Sequence, residues 1–91
     1  MSGFASQTGG YKNITATANV SPIPCKVLGV FVSTETTATV QLYDSATTTT
    51  TAPIVSVFTP VAATYYTIPA SASSGIYVVI SGTVSATVFF G

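Results

Sequence analysis

Apolar and polar residues alternate along much of this chain from residue 11 onward, which is the period of a β-strand with one buried face. Residues 12–20 place apolar side chains at every second position, namely Ile14, Ala16, Ala18 and Val20. Residues 38–43 repeat the pattern with Ala38, Val40 and Leu42. Residues 25–33 are nearly all apolar, so we expect a strand whose two faces are both covered.

Turn-forming residues divide the chain into strand-like runs at 12–20, 25–33, 38–43, 53–59, 64–69, 76–81 and 84–90. β-Branched and aromatic residues dominate these runs, and no helix is required. Gly82-Thr83 suits a two-residue hairpin turn between the last two runs, with Gly82 at positive φ. We therefore expect an all-β fold of about seven strands, a single small β-sandwich or barrel of the jelly-roll or immunoglobulin-like kind.

An extended N-terminal arm precedes this body. Residues 1–10 are rich in Ser and Gly and contain one large aromatic residue, Phe4. Such segments are usually flexible in isolation, so we divide the chain into a flexible arm, residues 1–10, and a β-sandwich domain, residues 11–91. Phe4 is either incidental or an anchor that docks on a neighbouring subunit.

Charge is nearly absent from the chain. Two lysines and two acidic residues occur among 91 residues, with no net charge, whereas 47% of the residues are hydrophobic. An ordinary soluble domain is about 25% charged. Either Ser and Thr solvate the surface, or an assembly covers much of it, and we favour the assembly. With one cysteine and no histidine, disulfides and a zinc site are excluded as supports for so small a domain, which leaves homo-oligomerisation.

The same composition argues against catalysis and against several ligands. General acid–base chemistry has no histidine to use, and Glu35 and Asp44 fall in or beside predicted turns, where Asp44 is expected to bond the backbone of its own turn. Cys25 lacks a histidine partner and is interpreted as a buried, inert thiol in a strand. Two lysines are too few for a nucleic acid, and no apolar run is long enough for a membrane helix. We expect no enzyme activity, cofactor, metal, nucleic acid or membrane partner.

Aromatic residues remain as candidates for a partner interface. Neighbours on a strand point to opposite faces, so one residue of Tyr65-Tyr66 should enter the core while the other leaves it. The same holds for Phe89-Phe90. An outward aromatic side chain on a surface this poor in charge is best explained by a partner. The candidate interface residues are Phe4, Tyr11, Tyr65, Tyr66, Phe89 and Phe90.

Several segments carry a resemblance to a known class of protein. They are the N-terminal arm, VLGVFVST, VQLYDSATTT, PIVSVFTP, TYYTIPA and the closing GIYVVISGTVSATVFFG. In this layout the chain resembles small virion proteins of tailed bacteriophages that decorate or cement the capsid. The resemblance implies a β-rich homo-oligomer, often a trimer, without a catalytic site. It also implies the major capsid protein or other virion subunits as partners, synthesis in the cytoplasm of the host bacterium, and a final location on the surface of the virion.

Two other functions stay open on the sequence alone. A fibre- or tail-associated module could present its Tyr and Thr side chains to carbohydrates, as an adhesin does. An ice-binding surface could use the run Thr47 to Thr51, although consecutive Thr residues in a strand would divide between its two faces. We interpret that run instead as part of a polar loop.

Overall fold

The computed structural model describes residues 10–91, and within them every regular element is a β-strand. The prediction of an all-β chain is therefore confirmed. Gly10, which we assigned to the arm, belongs to the first strand, and residues 1–9 lie outside the described part. The strands are β1 (Gly10–Ile14), β2 (Ala18–Ser21), β3 (Cys25–Asp44), β4 (Pro53–Phe58), β5 (Thr64–Ala72) and β6 (Ile76–Phe90).

Two long antiparallel strands, β3 and β6, form the centre of a single six-stranded sheet. Their pairing runs from Val27 opposite Phe90 to Asp44 opposite Ile76. β1 and β2 flank β6, one after the other along its length, and β5 and β4 flank β3 in the same way. The sheet thus has a first half, with β1 and β5 at its edges, and a second half, with β2 and β4 at its edges.

The predicted strand boundaries were wrong where two runs joined. Residues 25–33 and 38–43 belong to one strand, β3, and residues 76–81 and 84–90 belong to another, β6. The predicted run 12–20 is divided between β1 and β2. The chain therefore does not reverse at Gly82-Thr83, because both sides of that pair continue along the same partner, β3.

Gly82 has the predicted positive φ, of 90°, but it serves a bulge rather than a hairpin. The register of β3 against β6 shifts between Thr36 and Thr39, and Thr37 itself has a φ of 47°. An extra residue in one strand of a pair bends that strand and increases its twist. Gly82 and Thr37 together mark the bend between the two halves of the sheet.

One hydrophobic core joins the two halves. Val30 and Val32 of the first half and Val40 and Leu42 of the second are all almost inaccessible to solvent. They alternate with more exposed neighbours along β3, which matches the period-two pattern of the sequence. The structure thus shows one antiparallel sheet around one core, and the sandwich or barrel of about seven strands is not confirmed.

Asp44, at the end of β3, holds the connection between β5 and β6. Its carboxylate accepts hydrogen bonds from the backbone N–H groups of Ser73, Ser74 and Gly75, at 3.0, 2.8 and 3.3 Å, and from the Ser73 hydroxyl at 2.8 Å. These bonds, led by the one from the Ser74 N–H, hold the pKa of Asp44 below its ordinary value. Our expectation that Asp44 bonds the backbone of its own turn was wrong, because its carboxylate oxygens accept hydrogen bonds from residues 73–75, in a different loop.

We predict that Gly82→Val destabilises the protein by about 1 kcal/mol or more. A side chain at this φ is strained, and its Cβ would lie against the carbonyl oxygen of Thr37 and 2.8 Å from the Cα of Ala38. Urea denaturation of both proteins measures the difference. Thr83→Val, at an exposed neighbouring position of the same strand, is the control and should change the free energy of unfolding much less.

We predict that Asp44→Ala lowers the free energy of unfolding by about 1–2 kcal/mol at neutral pH, because several charge-assisted hydrogen bonds are lost. Glu35→Ala is the matched control, since Glu35 accepts one longer bond, 3.4 Å from the Ala38 N–H. A folded-state pKa below the unfolded value means that Asp44 stabilises fully above the unfolded pKa and loses this contribution as pH falls through the folded pKa. Melting temperatures of wild type and Asp44→Ala should therefore converge as pH falls below about 4. A constant difference down to the lowest pH would contradict this role.

Candidate interaction surface

The outer side of the first half, opposite the core, carries two rows of side chains across four strands. Strand register places Tyr11 beside Phe89, Phe89 beside Gly29, and Gly29 beside Thr67. The second row runs from Asn13 through Thr87 and Phe31 to Tyr65. Residues at the same height on neighbouring strands share a face. The pairing of β1, β6, β3 and β5 therefore gathers aromatic residues that are far apart in the sequence.

Four of these side chains, Tyr11, Phe31, Tyr65 and Phe89, make up what we call the outer aromatic face. Tyr11 is 69% exposed, Tyr65 47% and Phe31 37%, whereas Phe89 is half-buried. The Tyr65 and Phe89 rings meet edge-to-face, with their centroids 6.0 Å apart and their planes at 67°. Contiguous exposed apolar groups of this kind mark interaction sites more often than scattered ones do.

Gly29 makes room for the Tyr65 ring on this face. A Cβ at Gly29 would lie against the Tyr65 hydroxyl, 2.5 Å from its Cζ, and 2.6 Å from the backbone oxygen of Tyr66. The Tyr65 hydroxyl donates a hydrogen bond to the carbonyl of Leu28 at 3.4 Å. The ring thus crosses β3 and reaches Phe89 on β6, which fixes the orientation of its exposed side.

The polar groups of this face are uncharged and partly bonded to one another. The Thr87 hydroxyl donates to Oδ1 of Asn13 at 2.6 Å, and the Ser33 hydroxyl donates to the carbonyl of Ser85 at 3.0 Å. Within residues 10–91, no charged residue occupies either row. A partner binding here would remove little charge from water, which keeps the desolvation cost low.

The structure separates the predicted aromatic neighbours as alternation requires. Tyr65 points outward, whereas Tyr66 packs against the core, with its ring 5.0 Å from that of Phe58 and its hydroxyl accepting a bond from the Val61 N–H at 2.7 Å. Phe89 joins the outer aromatic face, whereas Phe90 packs against the core.

Of the predicted interface residues, the fold therefore brings Tyr11, Tyr65 and Phe89 together and directs Tyr66 and Phe90 elsewhere. Phe4 lies outside the described residues, so its predicted role as an anchor stays a prediction.

Phe31 is the interface candidate that sequence reasoning missed. We expected both faces of residues 25–33 to be covered, but Lys26, Leu28 and Phe31 are exposed. The register shift of β3 between Val27 and Gly29 moves Leu28 out of simple alternation. From Val30 to Ser33 the period of two returns, and Phe31 falls on the same face as Ser33, which was the available signal.

The other candidate sites, for a metal, a reactive thiol or ice, are not assembled in the described part of the chain. No cluster of three or more His, Cys, Asp or Glu side chains occurs in residues 10–91. Cys25 lies in a strand as predicted, at the start of β3, but it is half-buried instead of buried and packs against the core. Thr47 to Thr51 lie between β3 and β4 rather than in a strand, and the Ser45 hydroxyl accepts bonds from the N–H groups of Thr47 and Thr49. The flat Thr array that an ice-binding surface needs is therefore not formed by these residues.

Comparisons with known proteins add no relative: no family model matches the chain, and no curated protein or solved structure is significantly similar to it. Among the described residues, no helix is long and apolar enough to cross a membrane.

We predict that Gly29→Ala displaces the Tyr65 ring from β3 and destabilises the protein by about 1–3 kcal/mol, the usual cost of overpacking. The double variant Gly29→Ala with Tyr65→Ala should recover part of this loss, because the added methyl group then has more room. A thermodynamic cycle of the three variants measures the coupling. Strictly additive effects would show that the Tyr66 backbone, and not the Tyr65 ring, limits the space at Gly29.

Proposed function

We propose that this protein is a non-enzymatic structural subunit of a virus particle that binds other protein subunits non-covalently through its outer aromatic face. The observation that carries the proposal is the gathering of Tyr11, Phe31, Tyr65 and Phe89 on one sheet face with no charged neighbour in either row. Aromatic side chains are enriched at the centres of protein interfaces, and charged residues are depleted there.

The finer part of the proposal is a head decoration or cement protein of a tailed bacteriophage. It rests on the resemblance of the segments described above, together with the low charge of the chain. On this proposal the chain is a homo-oligomer, most simply a trimer, that is made in the bacterial cytoplasm and attaches to the major capsid protein at the virion surface. It uses no cofactor and contacts neither nucleic acid nor membrane.

The size of the face limits what a single copy can do. Each aromatic side chain contributes about 1.5–3 kcal/mol when it is fully buried, and part of this is offset by the cost of association. Stable interfaces bury about 800 Å² on each partner. One copy would therefore bind modestly, whereas an oligomer that engages several sites would gain affinity by a factor of about 10²–10⁴.

A carbohydrate-binding module of a fibre or tail is the second candidate. The observation that favours it is the Asn13–Thr87 pair, which places hydrogen-bonding groups next to exposed rings on the same open face. Sugars pack their apolar faces against aromatic rings and use their hydroxyls for such groups. Specific retention on a glycan array, lost in Tyr11→Ala, would favour this function over a structural one.

We predict that the double variant Tyr11→Ser with Phe31→Thr stays folded and loses at least tenfold in affinity for phage particles that lack the native protein. The loss follows from removing two exposed aromatic side chains from the centre of the contact. Occupancy on purified particles, measured by quantitative gel densitometry at increasing protein concentration, gives the affinity. Val57→Thr with Val61→Thr is the matched control, because these exposed apolar residues lie away from the face, at 58% and 61% exposure.

The same measurement across a salt series tests the uncharged character of the contact. Wild-type occupancy should change little between about 0.05 and 0.5 M salt, since interactions between exposed charges are the ones that salt screens. A steep loss of occupancy with salt, or equal affinity for both double variants, would contradict binding through the outer aromatic face. Absence of any binding to phage particles would contradict the structural function itself.

A further inference from the structure

One edge of the sheet lacks the features that usually prevent strands from pairing with other chains. β5 is nine residues long and contains no charged residue, and within residues 10–91 it pairs only with β3. Its one proline, Pro69, lies near the end, beside the register shift at Val27 and Gly29. Natural proteins protect edge strands with charges, prolines or bulges. β1 has such a charge in Lys12, whereas residues 64–68 of β5 have neither a charge nor a proline.

An apolar groove opens beside this unprotected edge. It is lined by Val55 and Phe58 of β4 and by Tyr66, Thr67 and Ile68 of β5, with a volume of about 280 Å³. Tyr66 and Ile68 pack against the core but stay half-exposed, because no further strand covers them in the described part of the chain. An apolar cavity of about 150 Å³ is enough to hold benzene, so the groove has room for an aromatic ring.

We propose that residues 1–9 of a neighbouring copy add to the free edge of β5 as an extra strand and place Phe4 in this groove. The segment has the required chemistry, since it contains no charged side chain and Phe4 is its one aromatic residue. Strand addition needs main-chain hydrogen bonds, which provide affinity, and a side-chain pocket, which provides specificity. The groove supplies that pocket.

The order of the strands favours a neighbouring copy as the donor. The segment joins the sheet at Gly10 in β1, and across the first half the order is β1, β6, β3 and β5. Three strand spacings separate the two edges, about 14 Å, whereas Phe4 precedes Gly10 by six positions and reaches at most about 20 Å. A segment crossing its own sheet would run across the strands and leave too few residues to align with β5.

Donor and acceptor lie at different edges of the same sheet, which makes the contact heterologous. Heterologous contacts generate a ring when the rotation between copies closes. The inference is separate from the proposed function, because it uses the edge of the sheet and leaves the outer aromatic face free for other subunits. It supplies a physical basis for the homo-oligomer that the sequence predicts.

A disulfide-trapping experiment with two full-length chains tests the geometry. Both chains carry Cys25→Ala; one also carries Phe4→Cys and the other Ile68→Cys. After mixing and mild oxidation, we expect a linked dimer on a non-reducing gel. In the control, the acceptor chain carries Phe31→Cys on the outer aromatic face instead, and we expect at most a tenth of the linked product. Equal linkage to both acceptors, or no linkage to the Ile68→Cys chain, would overturn the proposal.

The oligomeric state provides a test that does not depend on cysteine variants. In size-exclusion chromatography with light scattering, Phe4→Ala should shift the mass of the full chain toward the monomer, whereas Gln7→Ala, in the same segment, should not. An unchanged mass for Phe4→Ala, or a monomeric wild-type protein, would overturn the proposal. A monomeric wild-type protein would also contradict the homo-oligomer of the proposed function, whereas binding through the outer aromatic face is tested separately, by particle binding through Tyr11 and Phe31.

Discussion

The continuous pairing of β3 with β6 is the constraint on which the rest of the structure depends. Each of the four shorter strands attaches to one of these two and to no other strand in the described part of the chain. The pairing continues through a bend because Gly82 and Thr37 adopt positive φ where the register shifts. A side chain at Gly82 would strain that bend, so a single glycine helps to keep the two halves of the sheet around one core.

The alternation of side chains along the strands determines which of them remain for interactions. The inner side of the sheet is occupied by the core, and the aromatic residues of the first half that alternate with core residues stay on its outer side. This side presents rings, whereas the edge at β5 presents backbone and an apolar groove. On our two proposals these surfaces serve different contacts: the face binds other subunits and the edge accepts an added strand.

Charge has a structural role in a chain that contains so little of it. Asp44 accepts four hydrogen bonds from residues 73–75, and the Ser45 hydroxyl organises the following loop by accepting two more. Hydrogen bonds within the chain thus order the loops at this end of the sheet. The two rows that form the outer aromatic face contain no charged residue, which favours contacts with low desolvation cost.

The sequence by itself determined the all-β class, the division of Tyr65-Tyr66 and of Phe89-Phe90 between the two faces of the sheet, and the positive φ of Gly82. These features are local, because they follow from the pleat of a strand and from the steric freedom of glycine. Which residue of each pair points outward came from the structure. Tertiary structure decided that Gly82 bends a strand instead of closing a hairpin, since both outcomes use the same backbone conformation and only the pairing with β3 distinguishes them. It also decided that Phe31 joins Tyr11, Tyr65 and Phe89. The bulge at Leu28 changes the alternation along β3, so that Phe31 points outward. Strand register, which no local pattern encodes, then determines which residues become neighbours.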